Sequence, residues 1–177
     1  RPVELRDEFA VRAGIDPALA ADVVRHYLTA TMGFENDSGY TPEEFERRYN
    51  SDLANDLGNC LNRAVSMTHR YLGGTIPEGE IEPAVAEAIA RAKADTLAAM
   101  EGYRIDRAVE AALGLVRWLG KYTDERAPWN LAKSGDPALG PVLKGMLAVV
   151  RAAEGLFRPT MPVAADRIAA ALGLPPT

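Results

Sequence analysis

Apolar residues recur with a period close to 3.6 along almost the whole chain, and no alternating run of β-branched residues is long enough for a strand. This pattern predicts an all-α protein. The connecting segments are short, so neighbouring helices are expected to pack antiparallel as a helical bundle. The predicted helices span residues 3–12, 16–32, 42–72, 82–100, 136–157 and 163–172, with a further helix beginning at 105.

The longest of these helices has clear signals at both of its ends. The polar run FENDSGY precedes Thr41, which is a suitable N-cap, and Pro42 follows at the first helical position. Glu44 would complete a capping box with Thr41. Gly73 and Gly74 are expected to end the helix.

The same helix has two different faces at about 100° per residue. Its predicted core face consists of Leu53, Leu57, Cys60, Leu61, Ala64, Met67 and Tyr71. The opposite face, here called the polar stripe, consists of Asn55, Asn59, Asn62, Arg63, Ser66 and Arg70. Asparagine is a poor helix former, yet its amide group, like guanidinium, forms hydrogen bonds with base edges. Two interpretations of the polar stripe remain open: it contacts a nucleic acid, or it is an ordinary solvated face.

A second feature is the segment YTDERAPWNLAK, in which Pro128 and Trp129 interrupt two helical patterns. Proline fixes the local backbone, so the next ring can be held at a helix start as a stacking platform. The alternative is that Trp129 fills the core between two helices. Trp118 lies within an amphipathic pattern and is expected to pack. The basic residues available to frame an RNA surface are Arg63, Arg70, Arg117, Lys121, Arg126 and Lys133.

Composition limits the classes of function. Among 177 residues, 47% are hydrophobic, which is enough to bury a core. The formal net charge of -5 argues against non-specific coating of nucleic acid, so DNA is not an expected partner and any RNA contact needs a local patch. No apolar run approaches the ~20 residues of a membrane span. The lack of a methionine at Arg1 suggests a piece of a longer protein or a processed product.

The sequence offers few residues for catalysis or metal binding. Cys60 is the single cysteine and lies on the predicted core face, so it is expected to be a buried residue in a reducing, cytoplasmic protein. His26 and His69 do not complete a zinc-ligand spacing with it. No G-x-x-x-x-G-K-[ST] or G-x-G-x-x-G motif is present. We therefore expect no catalytic residue, metal or cofactor in this chain.

Two separate motifs resemble one family. The run YNSDLANDLGNCLNR, followed by HRYLGG, resembles the long helix in the anticodon-binding domain of methionyl-tRNA synthetases. The segment KYTDERAPWNLAK resembles a second segment of that domain. Weaker similarity upstream, in RPVELRDEF and ADVVRHYL, and downstream, in LFRPTMPVAADRIAAALGL, extends the resemblance over nearly the whole chain.

The resemblance implies a class I synthetase bundle that reads an anticodon. In it, Asn59 and Arg63 contact the first anticodon base, and Trp129 after Pro128 stacks on that base. Further residues expected to face RNA are Asn55, Asn62, Arg70 and Lys133. Residues 1–40 would be a helical linker that follows a catalytic domain, and residues 41–177 the anticodon-binding bundle.

The implied function is recognition of the tRNA(Met) anticodon loop, in support of ATP-dependent attachment of methionine to tRNA. The family's HIGH-type motif, KMSKS loop and zinc-binding insertion are missing from these 177 residues. ATP and zinc would therefore belong to the catalytic domain of the parent enzyme, which is a second expected partner. Two alternatives stay open: a free-standing helical module that binds tRNA or a protein without aminoacylation, and a class I synthetase for another apolar amino acid.

Overall fold

A computed structural model of the chain describes residues 1–31, 40–76 and 78–174. Within these ranges the secondary structure is helical and contains no strand, so the prediction of an all-α bundle is confirmed. Most of the polar loop predicted before Thr41 lies outside the described residues. The helices are α1 (Pro2–Ala13), α2 (Pro17–Thr31), α3 (Pro42–Arg48), a π-helical segment (Tyr49–Gly58), α4 (Asn59–Leu72), α5 (Pro83–Glu101), α6 (Ile105–Arg126), α7 (Pro128–Ser134), α8 (Leu139–Phe157) and α9 (Pro162–Ala171).

Helix α6 lies at the centre of the bundle. It packs against α5, α8, α2 and the π-helical segment. Glu82, just before α5, forms an ion pair with Arg126 at the end of α6, so these two helices are antiparallel, as predicted. The buried residues of α6 are Ala108, Val109, Ala112, Leu113, Leu115, Val116, Leu119, Tyr122 and Thr123.

The predicted core face of the long helix is confirmed. Leu57, Cys60 and Ala64 are buried, and the other four residues of that face pack against the same cluster. The Sγ of Cys60 donates to the carbonyl of Val116 at 3.4 Å. Burial raises the pKa of the Cys60 thiol to about 11, which is the behaviour of a core residue rather than a nucleophile.

The long helix is not uniformly α-helical, and here the sequence prediction is wrong. Residues Tyr49–Gly58 form a π-helix. At about 100° per residue, Asp52 would lie within ~20° of Asn59 on the polar stripe, yet it is only 2% exposed. Gly58 allows the wider turn to close, since a Cβ there would lie 3.0 Å from the carbonyl oxygen of Leu53.

Only half of the predicted capping box forms at the start of this helix. The hydroxyl of Thr41 accepts a hydrogen bond from the backbone N–H of Glu44 at 3.2 Å. The carboxylate of Glu44 instead accepts from Arg47 at 2.8 Å. Thr41 therefore acts as the N-cap, while Glu44 takes part in a surface ion pair.

A buried carboxylate attaches α2 to the last helix. Asp22 accepts a hydrogen bond from the backbone N–H of Ala164 at 2.8 Å, in the first turn of α9. The N-cap residue of α9, Met161, provides no side-chain hydrogen bond, so Asp22 supplies the missing acceptor from a distant part of the sequence. Helix α2 thus packs on the bundle, whereas a domain boundary at residue 40 remains a prediction.

A second buried carboxylate attaches α2 to the π-helical segment. Asp52 Oδ2 lies 3.2 Å from His26 Nε2, and Asp52 Oδ1 accepts from the Ser51 hydroxyl at 2.7 Å. Arg48 donates to Asp52 at 3.3 Å. Burial by itself would raise the pKa of Asp52, but the hydrogen bonds from His26, Ser51 and Arg48 outweigh it and lower the pKa to about 2.

Within residues 1–31, 40–76 and 78–174, no helix is long and apolar enough to cross a membrane. The described side chains also include no group of three or more His, Cys, Asp or Glu residues that is arranged to hold a metal ion.

The low pKa of Asp52 predicts acid sensitivity. An unfolded aspartate has a pKa of about 3.9, so Asp52 stabilises the fold above that pH and loses this contribution as the pH falls towards 2. The whole contribution is about 2–3 kcal/mol, of which about 1 kcal/mol is lost by pH 3. The free energy of unfolding, measured with urea at pH 6 and at pH 3, should therefore fall by about 1 kcal/mol more in wild type than in Asp52→Asn. Equal losses in both proteins would contradict this role of Asp52.

Candidate nucleic-acid interface

The polar stripe is largely open to solvent. Arg63 is partly buried, while the other five members of the stripe are exposed. Asn55 lies in the π-helical segment, and the rest of the stripe lies on α4. The hydroxyl of Ser66 donates to Asn62 Oδ1 at 3.0 Å, one helical turn away. Asn59 and Arg63 are likewise one turn apart on the same helix.

A sharp turn joins α6 to α7, a short helix that begins at Pro128. The predicted helices did not include it, although Trp129 was expected at a helix start. Ala127 adopts a left-handed conformation with φ 43° and ψ 59°. Its N–H donates to the carbonyl of Thr123 at 3.0 Å, and its own carbonyl accepts from the N–H of Asn130 at 2.8 Å. This one residue therefore ends α6 and starts α7. Pro128 is buried, whereas Trp129 is 38% exposed.

The fold brings Trp129 against the polar stripe. The Cζ of Arg63 lies 5.5 Å from the centroid of the Trp129 ring, within the usual range of a cation–π contact. The same guanidinium donates to Asp124 Oδ1 at 2.8 Å. Asn59, Arg63, Asp124 and Trp129 together are called the Arg63–Trp129 site below. Sequence reasoning did not single out Asp124.

This arrangement suits a flat, polar ligand. The ring of Trp129 supplies a π-surface, and Arg63 carries more N–H donors than Asp124 engages. The amide of Asn59 adds both a donor and an acceptor. Asp124 has 69% of its side chain exposed and reduces the positive charge at the site, so a ligand here gains more from shape and hydrogen bonding than from bulk attraction.

The surrounding positive charge is smaller than the sequence suggested. Arg117 binds Asp56 at 3.0 Å and Glu110 at 2.6 Å. Arg126 is paired with Glu82, as described above. Arg70 and Lys133 are exposed, and the Cζ of Arg70 lies 5.5 Å from the centroid of the Tyr71 ring.

The two tryptophans have different surroundings. The ring of Trp118 stacks on that of Tyr122, with centroids 5.1 Å apart and an interplanar angle of 16°. Trp118 also packs against the main hydrophobic core, which confirms the expectation that it is a packing residue. Trp129 does not belong to that core cluster. Trp129 is 38% exposed, and the residue before it, Pro128, is buried.

Comparisons with known proteins agree on one family. Residues 10–65 match the sequence model of the family described as tRNA synthetases class I (M). The methionine–tRNA ligase of Lactiplantibacillus plantarum is 38% identical over 164 residues, which cover 88% of this chain and 24% of that protein. The methionine–tRNA ligase of Methanospirillum hungatei is 31% identical over 159 residues, with 90% and 24% covered.

Solved structures give the same result. The free form of the methionyl-tRNA synthetase of Mycobacterium tuberculosis superposes with a TM-score of 0.82 at 30% identity, covering 96% of this chain and 40% of that one. Its complex with methionyl-adenylate gives a TM-score of 0.79 at 31% identity. The chain is homologous to part of methionyl-tRNA synthetase. It spans about a quarter of the length of the synthetase relatives it matches.

The contrast between the two tryptophans predicts a contrast in stability. Trp129→Ala should lower the free energy of unfolding by about 1 kcal/mol, because it removes a half-exposed ring and one cation–π contact. Trp118→Ala should cost about 3 kcal/mol, because it leaves a cavity beside the core. Urea denaturation measures both values. Similar large losses in the two variants would mean that Trp129 is a core residue after all.

Proposed function

We propose that this chain binds the anticodon loop of tRNA(Met), as the anticodon-reading bundle of a synthetase that attaches methionine to tRNA with ATP. The observation that carries the proposal is the contact between Arg63 and the open ring of Trp129, beside the exposed amide of Asn59. The homology to methionine–tRNA ligases supports it. The apolar rings and guanidinium groups of such sites are well suited to unstacked bases.

In the proposed complex, the first anticodon base leaves the loop stack and lies against the exposed part of the Trp129 ring. Arg63 and Asn59 then donate and accept hydrogen bonds at the edge of that base. Asn55, Asn62, Arg70 and Lys133 lie on exposed positions of the π-helical segment, α4 and α7, where they would contact the remainder of the loop. With a net charge of -5, the chain depends on this local surface for RNA affinity.

The ligase reaction itself is assigned to the rest of the parent enzyme. We place ATP, methionine and the zinc site of the family in its catalytic domain, and we assign no cofactor to this chain of 177 residues. The catalytic domain is then the second partner of this chain, beside tRNA. Neither DNA nor a membrane is part of the proposal, and the corresponding location is the cytoplasm, where protein synthesis takes place.

Substitutions on the polar stripe test the proposal. Arg63→Ala and Asn59→Ala should each weaken binding of a stem-loop with the methionine anticodon by about 1–3 kcal/mol, because each removes hydrogen bonds to a base edge. Calorimetry or fluorescence titration measures the affinity. Arg107→Ala is the matched control and should leave binding unchanged. Arg107 is an exposed arginine near the start of α6, whereas the Arg63–Trp129 site lies near the end of that helix.

A stem-loop with a changed first anticodon base completes this experiment. Wild type should bind the changed loop more weakly than the matched loop. In Arg63→Ala, the difference in affinity between the two loops should be smaller. Helicity and unfolding should stay close to wild type in both stripe variants, because their side chains face away from the core. The proposal fails if wild type binds the two loops equally.

The stacking role of Trp129 has a separate test. Trp129→Ala should cost about 1–3 kcal/mol of stem-loop affinity, whereas Trp129→Phe should cost less because it keeps a π-face. Titrations of the same two stem-loops measure this order. An equal loss of affinity in Trp129→Ala and Trp129→Phe would argue against stacking.

A further inference from the structure

Ala127 holds a backbone conformation that alanine rarely adopts. Within the described residues, Ala127 and Tyr103 are the two non-glycine residues with positive φ, at 43° and 57°. The Cβ of an L-residue crowds the backbone in this region, which is why glycine is usual there. Pro128 restricts the preceding residue further and favours an extended conformation. The turn therefore persists because its surroundings hold it.

Three contacts hold this turn in place. The hydrogen bonds of Ala127 to Thr123 and Asn130 fix the peptide groups on both of its sides. Pro128 is buried immediately after it. The hydrogen bond to Thr123 belongs to the end of α6, whereas the hydrogen bond from Asn130 and the buried ring of Pro128 belong to the start of α7. The conformation of Ala127 therefore sets the angle between α6 and α7.

The position of the turn relates it to the Arg63–Trp129 site. Asp124, before Ala127, accepts a hydrogen bond from Arg63 at 2.8 Å. Trp129, after Ala127, lies with its ring centroid 5.5 Å from the same guanidinium. A change in the φ or ψ angle of Ala127 would move the ring away from Asp124 and Arg63.

We propose that Ala127 is a positioning residue, whose left-handed backbone holds the Trp129 ring against Arg63 before RNA binds. This inference rests on the proposed function. Alanine allows fewer backbone conformations than glycine, so the turn has less freedom to lose when a base stacks on the ring. A site ordered in advance binds more tightly than one that must be ordered by its ligand.

A set of three variants tests the inference. Ala127→Gly keeps the left-handed conformation accessible but adds many others. Ala127→Asn keeps a side chain that tolerates positive φ and should rescue the site. Tyr103→Gly is the matched control, because it relaxes the same kind of backbone strain before the other end of α6. All three substitutions are introduced into the full chain of 177 residues.

Two measurements are needed, one without RNA and one with it. Nuclear Overhauser contacts between the Trp129 ring and the Arg63 side chain report whether the ring is held in place. Titrations with the matched stem-loop, and with a loop whose first anticodon base is changed, report recognition. Circular dichroism and urea unfolding show whether each variant keeps the wild-type fold.

Ala127→Gly should weaken the contacts between Trp129 and Arg63 without loss of helicity. If the ordered arrangement falls to about a tenth of the population, the Kd for the matched stem-loop rises about tenfold. Ala127→Asn and Tyr103→Gly should behave like wild type in both measurements. Unchanged ring contacts or an unchanged Kd for the matched stem-loop in Ala127→Gly overturns the inference, and so does loss of the fold in that variant or an equal effect of Tyr103→Gly.

The two proposals fail separately. If the wild-type chain does not discriminate between the two stem-loops, the proposed function fails. The ring contacts in Ala127→Gly, which are measured without RNA, still decide whether Ala127 sets the position of Trp129.

Discussion

The broad apolar surface of helix α6 is the feature on which the rest of the fold depends. A helix with buried residues along most of its length must be covered by other helices on several sides. Helices α2, α5 and α8 and the π-helical segment provide this cover. The cover ends near the last turn of α6, where Asp124 is exposed and contacts Arg63. The candidate site therefore lies at the place where the core of the bundle stops.

Buried carboxylates add specificity to this apolar packing. Asp22, Asp52 and Glu154 are almost completely buried, and each has a cationic or N–H partner. A buried charge without a partner is costly, so helices that carry the partners must stay in register. Asp22 fixes α2 against the start of α9, and Asp52 fixes it against the π-helical segment. Apolar contacts alone would leave this orientation less well defined.

The chemistry of the site suits the selective recognition of RNA that we propose for this acidic chain. Bulk charge gives little attraction at a net charge of -5, and the nearby arginines Arg117 and Arg126 are already paired with carboxylates. What the site offers is a ring and a guanidinium held in a fixed relation by a strained turn. Such a surface favours a ligand with the right shape and hydrogen-bonding edge over any polyanion.

The sequence by itself determined those properties that depend on local pattern. The 3.6-residue period predicted the helices other than α7 and the core face of the long helix, and Gly73 marked the end of α4 correctly. Helix periodicity and left-handed caps are decided within a few residues, which is why these predictions succeeded. The family resemblance also selected Asn59, Arg63 and Trp129 together. Their roles in RNA binding remain predictions.

Only the tertiary structure decided how these pieces meet. The packing of α2 places His26 against Asp52 of the π-helical segment, and no local pattern predicts that Asp52 is buried there. Arg63 and Asp124 are 61 positions apart, and no local pattern encodes their hydrogen bond. The strain at Ala127 is likewise invisible in the sequence, because alanine carries no signal for positive φ. These features arise from the packing of whole helices around α6, which sums many weak contacts between residues distant in the chain.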